Sequence, residues 1–478
     1  MRLVTKIAYN VIVQIIGKII ATILGLIAIA VMTRYLGQAG FGQYTTIITF
    51  LSFFGMIADL GLTLVTAQMI SDPTVNQNKI LSNLFSLRLI SAIIFLGLGP
   101  LTILFFPYDS IIKLGVIITA LSFFFTALNQ ILVGLFQKHL KMIIVSIAEV
   151  ISRIVFLIGI ILVVYFNYGL IGIMVVTVAS SAVSFIVHYS ASYRYAKIKI
   201  QINLDIWLLI LKKSWPLALT IIFNLIYLRA DVLILSFLKS QAEVGIYGAA
   251  YRVVDILTAI PFLFLGVVLP IMTTSWINKN INDFKNIIQK SFDVLVIMAM
   301  PMLVGAQLLA KPIMVVVAGA DFALSGQVFK ILIIATFMLF ISCLFAHGII
   351  AINQQKKIIS AYAFAAITAI IGYIIFIPKY SYFGAAWVTV YSELIIMLAS
   401  CYLLVKYSQF KLNLSILLKA LTASLIMAAI IYLILNKLNL LLLLIIAVMV
   451  YFVALYILKG FNKQDIRDLF GDRPLLNR

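Results

Sequence analysis

Charge is what this sequence has least of. Charged residues make up 10% of the chain and apolar ones 64%, where soluble domains carry about 25% and roughly 45–50%. So little polar surface excludes a soluble globular enzyme and a disordered chain, which would be rich in charge. Acids are the scarcer sign: 15 Asp and Glu against 35 Lys and Arg give a net charge of +20. In a soluble protein that excess points to nucleic acid. Here the basic residues sit between apolar runs and no nucleic-acid motif accompanies them, so no nucleic-acid partner is expected. Cysteine is nearly absent. Cys343 and Cys401 both fall inside apolar runs, which leaves no disulfide framework and no cysteine-based metal site. His139, His188 and His347 are scattered without ligand spacing, so no metal is expected. No Walker A motif is present, so ATP does not drive the protein directly. No cofactor is expected either.

Apolar length is what the sequence has in abundance. Runs of about twenty residues, the length of a membrane-crossing helix, recur end to end. Fourteen spans are expected, near 11–33, 44–67, 84–106, 112–135, 142–165, 168–190, 214–237, 245–273, 288–310, 328–350, 357–377, 383–405, 415–435 and 438–458. Barrel strands would alternate in short segments instead, so the fold class is an all-α polytopic membrane protein. The first run ends at Thr33-Arg34 without a small-x-small site and reads as a span, not a cleaved signal. The longest loop, 191–213, mixes Tyr193, Tyr195, Ile198, Ile200, Ile202, Trp207 and Leu211 with Arg194, Lys197, Lys199, Lys212 and Lys213. It reads as an amphipathic cytoplasmic linker lying partly on the membrane surface. No loop has room for a catalytic aqueous domain, which counts against a membrane glycosyltransferase or polymerase and against any enzyme.

Twenty-three Lys and Arg fall on the side of the amino terminus, seven on the opposite side and five within spans. The positive-inside rule then places both termini in the cytoplasm.

The chain also repeats itself. Tyr35 to Tyr44 and Phe237 to Tyr247 both join an odd span to an even one and end in Gly-x-Tyr, with Gly42 and Gly245 203 residues apart. Tyr168, Gly172, Thr177 and Val178 recur as Tyr380, Gly384, Thr389 and Val390, 212 residues on. Six spans per copy give both copies one orientation, related by an axis along the membrane normal. The expected organisation is an N-lobe (1–190), the linker (191–213), a C-lobe (214–405), two extra spans (406–458) and a cytoplasmic tail (459–478). A cleft between such lobes is where transporters hold substrate.

Thr33 to Tyr44 followed by Ala58-Asp59-Leu60-Gly61-Leu62 resembles the opening of bacterial polysaccharide flippases, the Wzx-type transporters of the MOP superfamily. Leu228-Arg229-Ala230-Asp231 and Val244 to Arg252 resemble the start of that family's second lobe. Gln38-Ala39 stands where the family often has Pro-Glu. The resemblance implies export of undecaprenyl-diphosphate-linked oligosaccharide units across a bacterial or archaeal cytoplasmic membrane. Its partners would be that lipid-linked saccharide, membrane lipids, a coupling H⁺ or Na⁺ and polysaccharide-assembly proteins. Related flippases of lipid II carry cations on spans 1, 2 and 8. This chain has Lys18 and Arg252 but no cation inside span 2, which makes lipid II the runner-up substrate. MATE-type multidrug antiporters have twelve spans and acidic cavities, a poorer fit.

An isolated charge in hydrocarbon costs about 2.5–3.5 kcal/mol even on the lenient insertion scale, so each mid-span charge needs a partner or a hydrated cavity. Asn10, Gln14, Lys18 and Thr22 recur every four residues and make one polar stripe on span 1, as expected of a helix lining a cleft. Arg88 lies near the start of span 3, where snorkelling to the surface competes with the cleft. Arg153 has Glu149 four residues before it, the spacing of an intrahelical ion pair. On span 8, Tyr247, Tyr251 and Asp255 share a face with Arg252 beside them, suited to a saccharide or to ordinary packing. The expected substrate cleft is thus Lys18, Arg88, Arg153, Arg252, Gln14, Tyr247 and Tyr251. The expected ion-coupling acids are Asp255, Glu149 and Glu393, and Asp59 is expected to pair at a helix end.

Overall fold

The computed structural model describes residues 3–70, 76–435 and 437–460. Among these the chain forms thirteen α-helices and no strand: α1 (Leu3–Asp59), α2 (Leu62–Ile70), α3 (Gln77–Thr102), α4 (Ser110–Lys138), α5 (Met142–Tyr165), α6 (Gly169–Ser192), α7 (Leu204–Leu238), α8 (Gln241–Ile277), α9 (Ile281–Ala318), α10 (Ser325–Ala351), α11 (Gln355–Ser408), α12 (Ser415–Ile434) and α13 (Leu440–Ile457). Eleven are long and apolar enough to cross a membrane. The protein is a polytopic all-α membrane protein, as its composition predicts. Residues 461–478, most of the expected tail, lie outside those described.

Two helices exceed a single crossing. The 57 residues of α1 would run about 85 Å if straight, against a hydrocarbon core of about 30 Å. The helix breaks at Gly37 (φ 63°, ψ −173°), between the first two expected spans. The 54 residues of α11 break at Ser381 (φ 51°, ψ −135°), between the eleventh and twelfth. A further break at Leu60 (φ 50°) and Gly61 (φ 73°) separates α1 from α2; it falls inside the expected span 44–67, which is therefore not one continuous helix, because the backbone turns at the Asp-Leu-Gly sequence.

The internal repeat is visible in the backbone. Ser381 stands 212 residues after Gly169, and both have positive φ, 51° and 63°. Three residues beyond each, Gly172 and Gly384 permit close packing: a Cβ would lie 2.6 Å from the Tyr168 Cβ in the first case and 2.5 Å from the Phe376 carbonyl oxygen in the second.

Contacts group the chain into two compact units. The first is Met1–Ala249 with Val316–Asp321 and Ile370–Ala385. In it α5 packs against α1 and α6, and α4 against α6 and α3. A core cluster joins Leu62, Val65, Leu81, Leu84, Leu132 and Phe136. The linker belongs to this cluster. Tyr195, Ile198, Ile206, Trp207 and Leu211 pack against it, while Ile200, Ile202 and Leu208 stay exposed. Only part of the expected surface-lying segment is therefore free of the protein, and from Leu204 it is the first turns of α7. Before that it runs extended along α3. Its backbone N–H groups at Lys197, Lys199 and Gln201 donate to Asn78 Oδ1 (3.2 Å), Ser82 Oγ (3.1 Å) and Ser86 Oγ (2.9 Å). Every second linker residue meets every fourth residue of α3, because alternate strand N–H groups share a side and i, i+4 share a helix face.

The second unit is Ala250–Val315, Phe322–Ala369 and Ala386–Arg478. Its core gathers Phe284, Phe292, Phe340, Leu344 and Phe345 with Leu443 and Tyr451 of α13. The Tyr451 hydroxyl donates to the Ile297 carbonyl at 2.9 Å. Pro261 and Pro270 in α8 and Pro301 and Pro312 in α9 remove backbone donors inside spans, the usual cause of helix bends.

Candidate functional site

The polar stripe of α1 meets α5. Gly17 makes this possible, since a Cβ there would lie 2.6 Å from the Ser146 Cβ. Near the amino-terminal end of α1, Asn10 Oδ1 accepts the Met142 N–H at 2.8 Å. Two turns further, Lys18 Nζ donates to Glu149 Oε1 at 2.9 Å, with the side chains 44% and 31% exposed. Glu149 thus pairs across to α1, not along its own helix to Arg153 as its spacing predicts. Arg153 is exposed, and among the described residues nothing pairs with it. Lys18, Glu149 and Arg153 together carry one net positive charge at a partly open, mid-span position, with Gln14 exposed one turn from Lys18.

Behind this pair lies a polar layer that the sequence reading passed over. His188 is 3% exposed and faces the field of Glu149. Its Nδ1 lies 2.8 Å from the Ser184 carbonyl oxygen, while Nε2 is buried without a hydrogen-bond partner. Asn129 Nδ2 donates to Ser184 Oγ at 3.3 Å, and its Oδ1 is likewise unpartnered. Ser180 Oγ donates to the Ser152 carbonyl at 2.8 Å. The available signal was Ser180, Ser184 and His188 at four-residue spacing in an otherwise apolar span.

Arg88 sits elsewhere. It is 1% exposed, pairs with Asp59 Oδ1 at 2.8 Å, and donates to the Ala127 carbonyl (3.0 Å), the Ala58 carbonyl (2.9 Å) and Gln130 Oε1. Its guanidinium is spent on protein acceptors, so in this conformation it ties α3 to α1 and α4 and neither snorkels nor faces a cleft. Asp59 pairs at its helix end, as expected of it.

A second cluster lies around the Gly37 break of α1. Arg34 donates to the Val316 carbonyl at 2.8 Å, and Gln38 to that of Asp321. Thr46 Oγ1 donates to Gln241 Oε1 at 2.9 Å. Ser381 Oγ donates to Glu243 Oε1 at 2.5 Å, and Lys239 Nζ to the Pro378 carbonyl at 3.0 Å. Tyr247 is fully buried here, its hydroxyl donating to Asp231 Oδ2 at 2.6 Å. In this conformation its ring packs α8 on α7 and is not available for stacking.

In the second unit Tyr251 is buried, and Arg252 and Asp255 are half-buried and engaged with other groups. Glu393 is 1% exposed. At the α4–α5 turn, outside the spans, burial and then the neighbouring Lys138 charge lower the pKa of His139.

A family model described as polysaccharide biosynthesis protein matches residues 7–276. No curated protein matches the sequence. Among solved structures, the lipid II flippase MurJ in an inward closed conformation matches at 20% identity with a TM-score of 0.77, over 96% of this chain and 100% of that one. A multidrug resistance MATE family transporter of the MOP superfamily, inward-facing, matches at 14% identity and a TM-score of 0.66, over 84% of this chain and 97% of that one. A MOP superfamily transporter from Pyrococcus furiosus matches at 12% identity and a TM-score of 0.57, over 85% and 96%. The chain therefore shares the fold of these transporters and is a multi-pass membrane protein.

Proposed function

The chain belongs to the polysaccharide biosynthesis protein family, and from that premise we propose that it is a secondary transporter, not an enzyme. Its cargo is an undecaprenyl-diphosphate-linked oligosaccharide, carried from the inner to the outer leaflet of a bacterial or archaeal cytoplasmic membrane. The observation that carries this reading is the cationic cluster of the first unit. A diphosphate headgroup brings about two negative charges, which cannot enter hydrocarbon bare. Lys18 and Arg153, with only Glu149 between them, leave a cation free at mid-span depth. Arg153 would meet the headgroup while the polyprenyl tail stays in lipid.

Alternating access supplies the motion. The close approach of α1 to α8, with the contacts of Arg34, Gln38 and Glu243 around it, would be the closed outer gate. The N-lobe, linker and C-lobe division fits this cycle, and both termini would be cytoplasmic.

One observation favours a second reading. The match to a lipid II flippase covers 100% of that chain, so peptidoglycan precursor is the alternative cargo. The lack of a cation in the second span argues against it. The deciding experiment is to delete the gene and identify which lipid-linked intermediate accumulates. An undecaprenyl-diphosphate oligosaccharide is expected. Accumulated lipid II would replace this reading with the second, and no accumulation of either would end both.

A further inference from the structure

Glu393 lies in the part of α11 beyond the Ser381 break, about 18 Å along the helix from it at 1.5 Å per residue, which places it at mid-membrane depth. It is 1% exposed. Neither carboxyl oxygen has a hydrogen-bond partner. The other deeply buried acids are engaged: Asp59 with Arg88 and Asp231 with Tyr247. Glu149, which is part-exposed, has Lys18.

Among the described residues a carboxylate in this position has no ion-pair partner and no hydrogen-bond donor. Burying an unpaired charge costs far more than burying the neutral acid. A group with no structural bond to make, kept at such a cost, is a functional candidate by default.

The surroundings narrow what it binds. Cys343 on α10 and Tyr362 on the first part of α11 lie near enough to feel its charge. His347 is one turn beyond Cys343, with Nδ1 2.8 Å from the Cys343 carbonyl oxygen. None offers Glu393 a hydrogen bond. Among the described residues no group of three His, Cys, Asp or Glu converges into a metal site. A proton needs one carboxylate oxygen and no cage.

We propose that Glu393 is the proton-binding site that couples ion movement to transport. The claim rests on the transporter reading above. In the conformation described here the site is closed and the carboxyl holds its proton, CO₂⁻ + H⁺ → CO₂H. When the helices around it rearrange and water reaches the site, the same O–H bond breaks and the proton leaves to the other aqueous side. A carrier needs a group whose solvation alternates in this way.

The test uses the full chain in lipid nanodiscs and in vesicles. Infrared difference spectra across a pH titration should show a protonated carboxyl band that Glu393→Gln removes and Glu393→Asp retains at a shifted position. The Gln variant is nearly isosteric, and its elution profile on size exclusion checks folding. In vesicles carrying the accumulated lipid-linked saccharide, wild-type flipping should collapse with a protonophore. Glu393→Gln should be at least tenfold slower and indifferent to the protonophore. A band unchanged in Glu393→Gln, or wild-type rates that still respond to the protonophore in that variant, would overturn the proposal. If wild-type protein flips no saccharide while the band is still lost in Glu393→Gln, the cargo assignment fails and the proton site stands.

Discussion

Gly42 and Gly245 face each other as a reciprocal pair. A Cβ on Gly42 would strike the Gln241 carbonyl oxygen, and one on Gly245 would strike the Gln38 carbonyl oxygen. Gly42 and Gly245 are 203 residues apart, and so are Gln38 and Gln241. The two copies of the repeat therefore touch at equivalent points, backbone to backbone, as small residues allow between membrane helices. Even one methyl is too much at such a contact. Gly42→Ala and Gly245→Ala should each lower stability by about 1–3 kcal/mol, or force the contact open. Gly97→Ala is the control, since nothing lies within 4 Å of its Cβ position. Thermal unfolding in detergent, followed by size exclusion, measures the difference; equal melting temperatures for all three would show that the contact is not tight.

Ser381 occupies a backbone region that favours glycine (φ 51°, ψ −135°) while its hydroxyl bonds Glu243. Such a conformation costs a non-glycine residue about 1–3 kcal/mol, and the hydrogen bond returns about 1 kcal/mol. Ser381→Gly loses the bond but sheds the strain, so its stability should stay near wild type or rise. Ser381→Ala keeps the strain and loses the bond, and should melt lower than both. An alanine variant as stable as the glycine one would refute this balance.

The Arg88–Asp59 pair is closed from solvent. Removing one partner strands the other, at about 3–5 kcal/mol for a buried pair. Arg88→Met and Asp59→Asn should each cut the yield of folded protein, and the double variant should recover part of it. A double-mutant cycle on melting temperature reads the coupling. Additive losses would show that the pair is not an energetic unit.

The linker clamp combines geometry with a titration. Ser82→Ala and Ser86→Ala each remove one acceptor for a linker N–H, worth about 1 kcal/mol, and should speed tryptic cleavage at Lys197 and Lys199. His139 lies against the linker, its ring 5.2 Å from that of Tyr195. Its folded pKa lies below the ordinary 6.5. The unfolded segment therefore binds more protons over that interval, and stability falls as pH drops below about 6.5 toward the folded value. Cleavage should accelerate over the same window, and His139→Gln should abolish that acceleration.

The spans were legible because membrane solvation dictates them residue by residue. A run of about twenty apolar residues has one low-energy form, and Gly37 falls between the first two runs; the break at Leu60 and Gly61 was not legible in this way, since it interrupts the expected span 44–67. Partners across helices were not legible. Glu149 has Arg153 at i+4, and spacing alone assigns that pair. Gly17 brings α1 close enough for Lys18 to take the acid instead, and no one-dimensional pattern encodes that distance. The partners that Arg88 has in this conformation were not legible for the same reason: its acceptors Ala58 and Ala127 are carbonyls of other helices.

The last prediction follows from that exchange of partners. With Glu149 committed to Lys18, Arg153 is exposed and without a partner among the described residues. Its removal breaks no hydrogen bond or ion pair among the described residues, so Arg153→Ala should shift stability by no more than about 0.5 kcal/mol and express normally. Lys18→Ala differs, because it leaves Glu149 bearing an uncompensated charge; Lys18→Arg keeps the pair. If the cluster meets a diphosphate, Arg153→Ala should lower the flipping rate at least tenfold while leaving the melting temperature alone. Arg153→Lys should retain most of the rate, since the need is for charge. Flipping in vesicles and thermal unfolding of the same preparations separate the two effects. An Arg153→Ala variant that folds and transports like wild type would remove this residue from the substrate path, and with it the main physical reason to expect an anionic cargo.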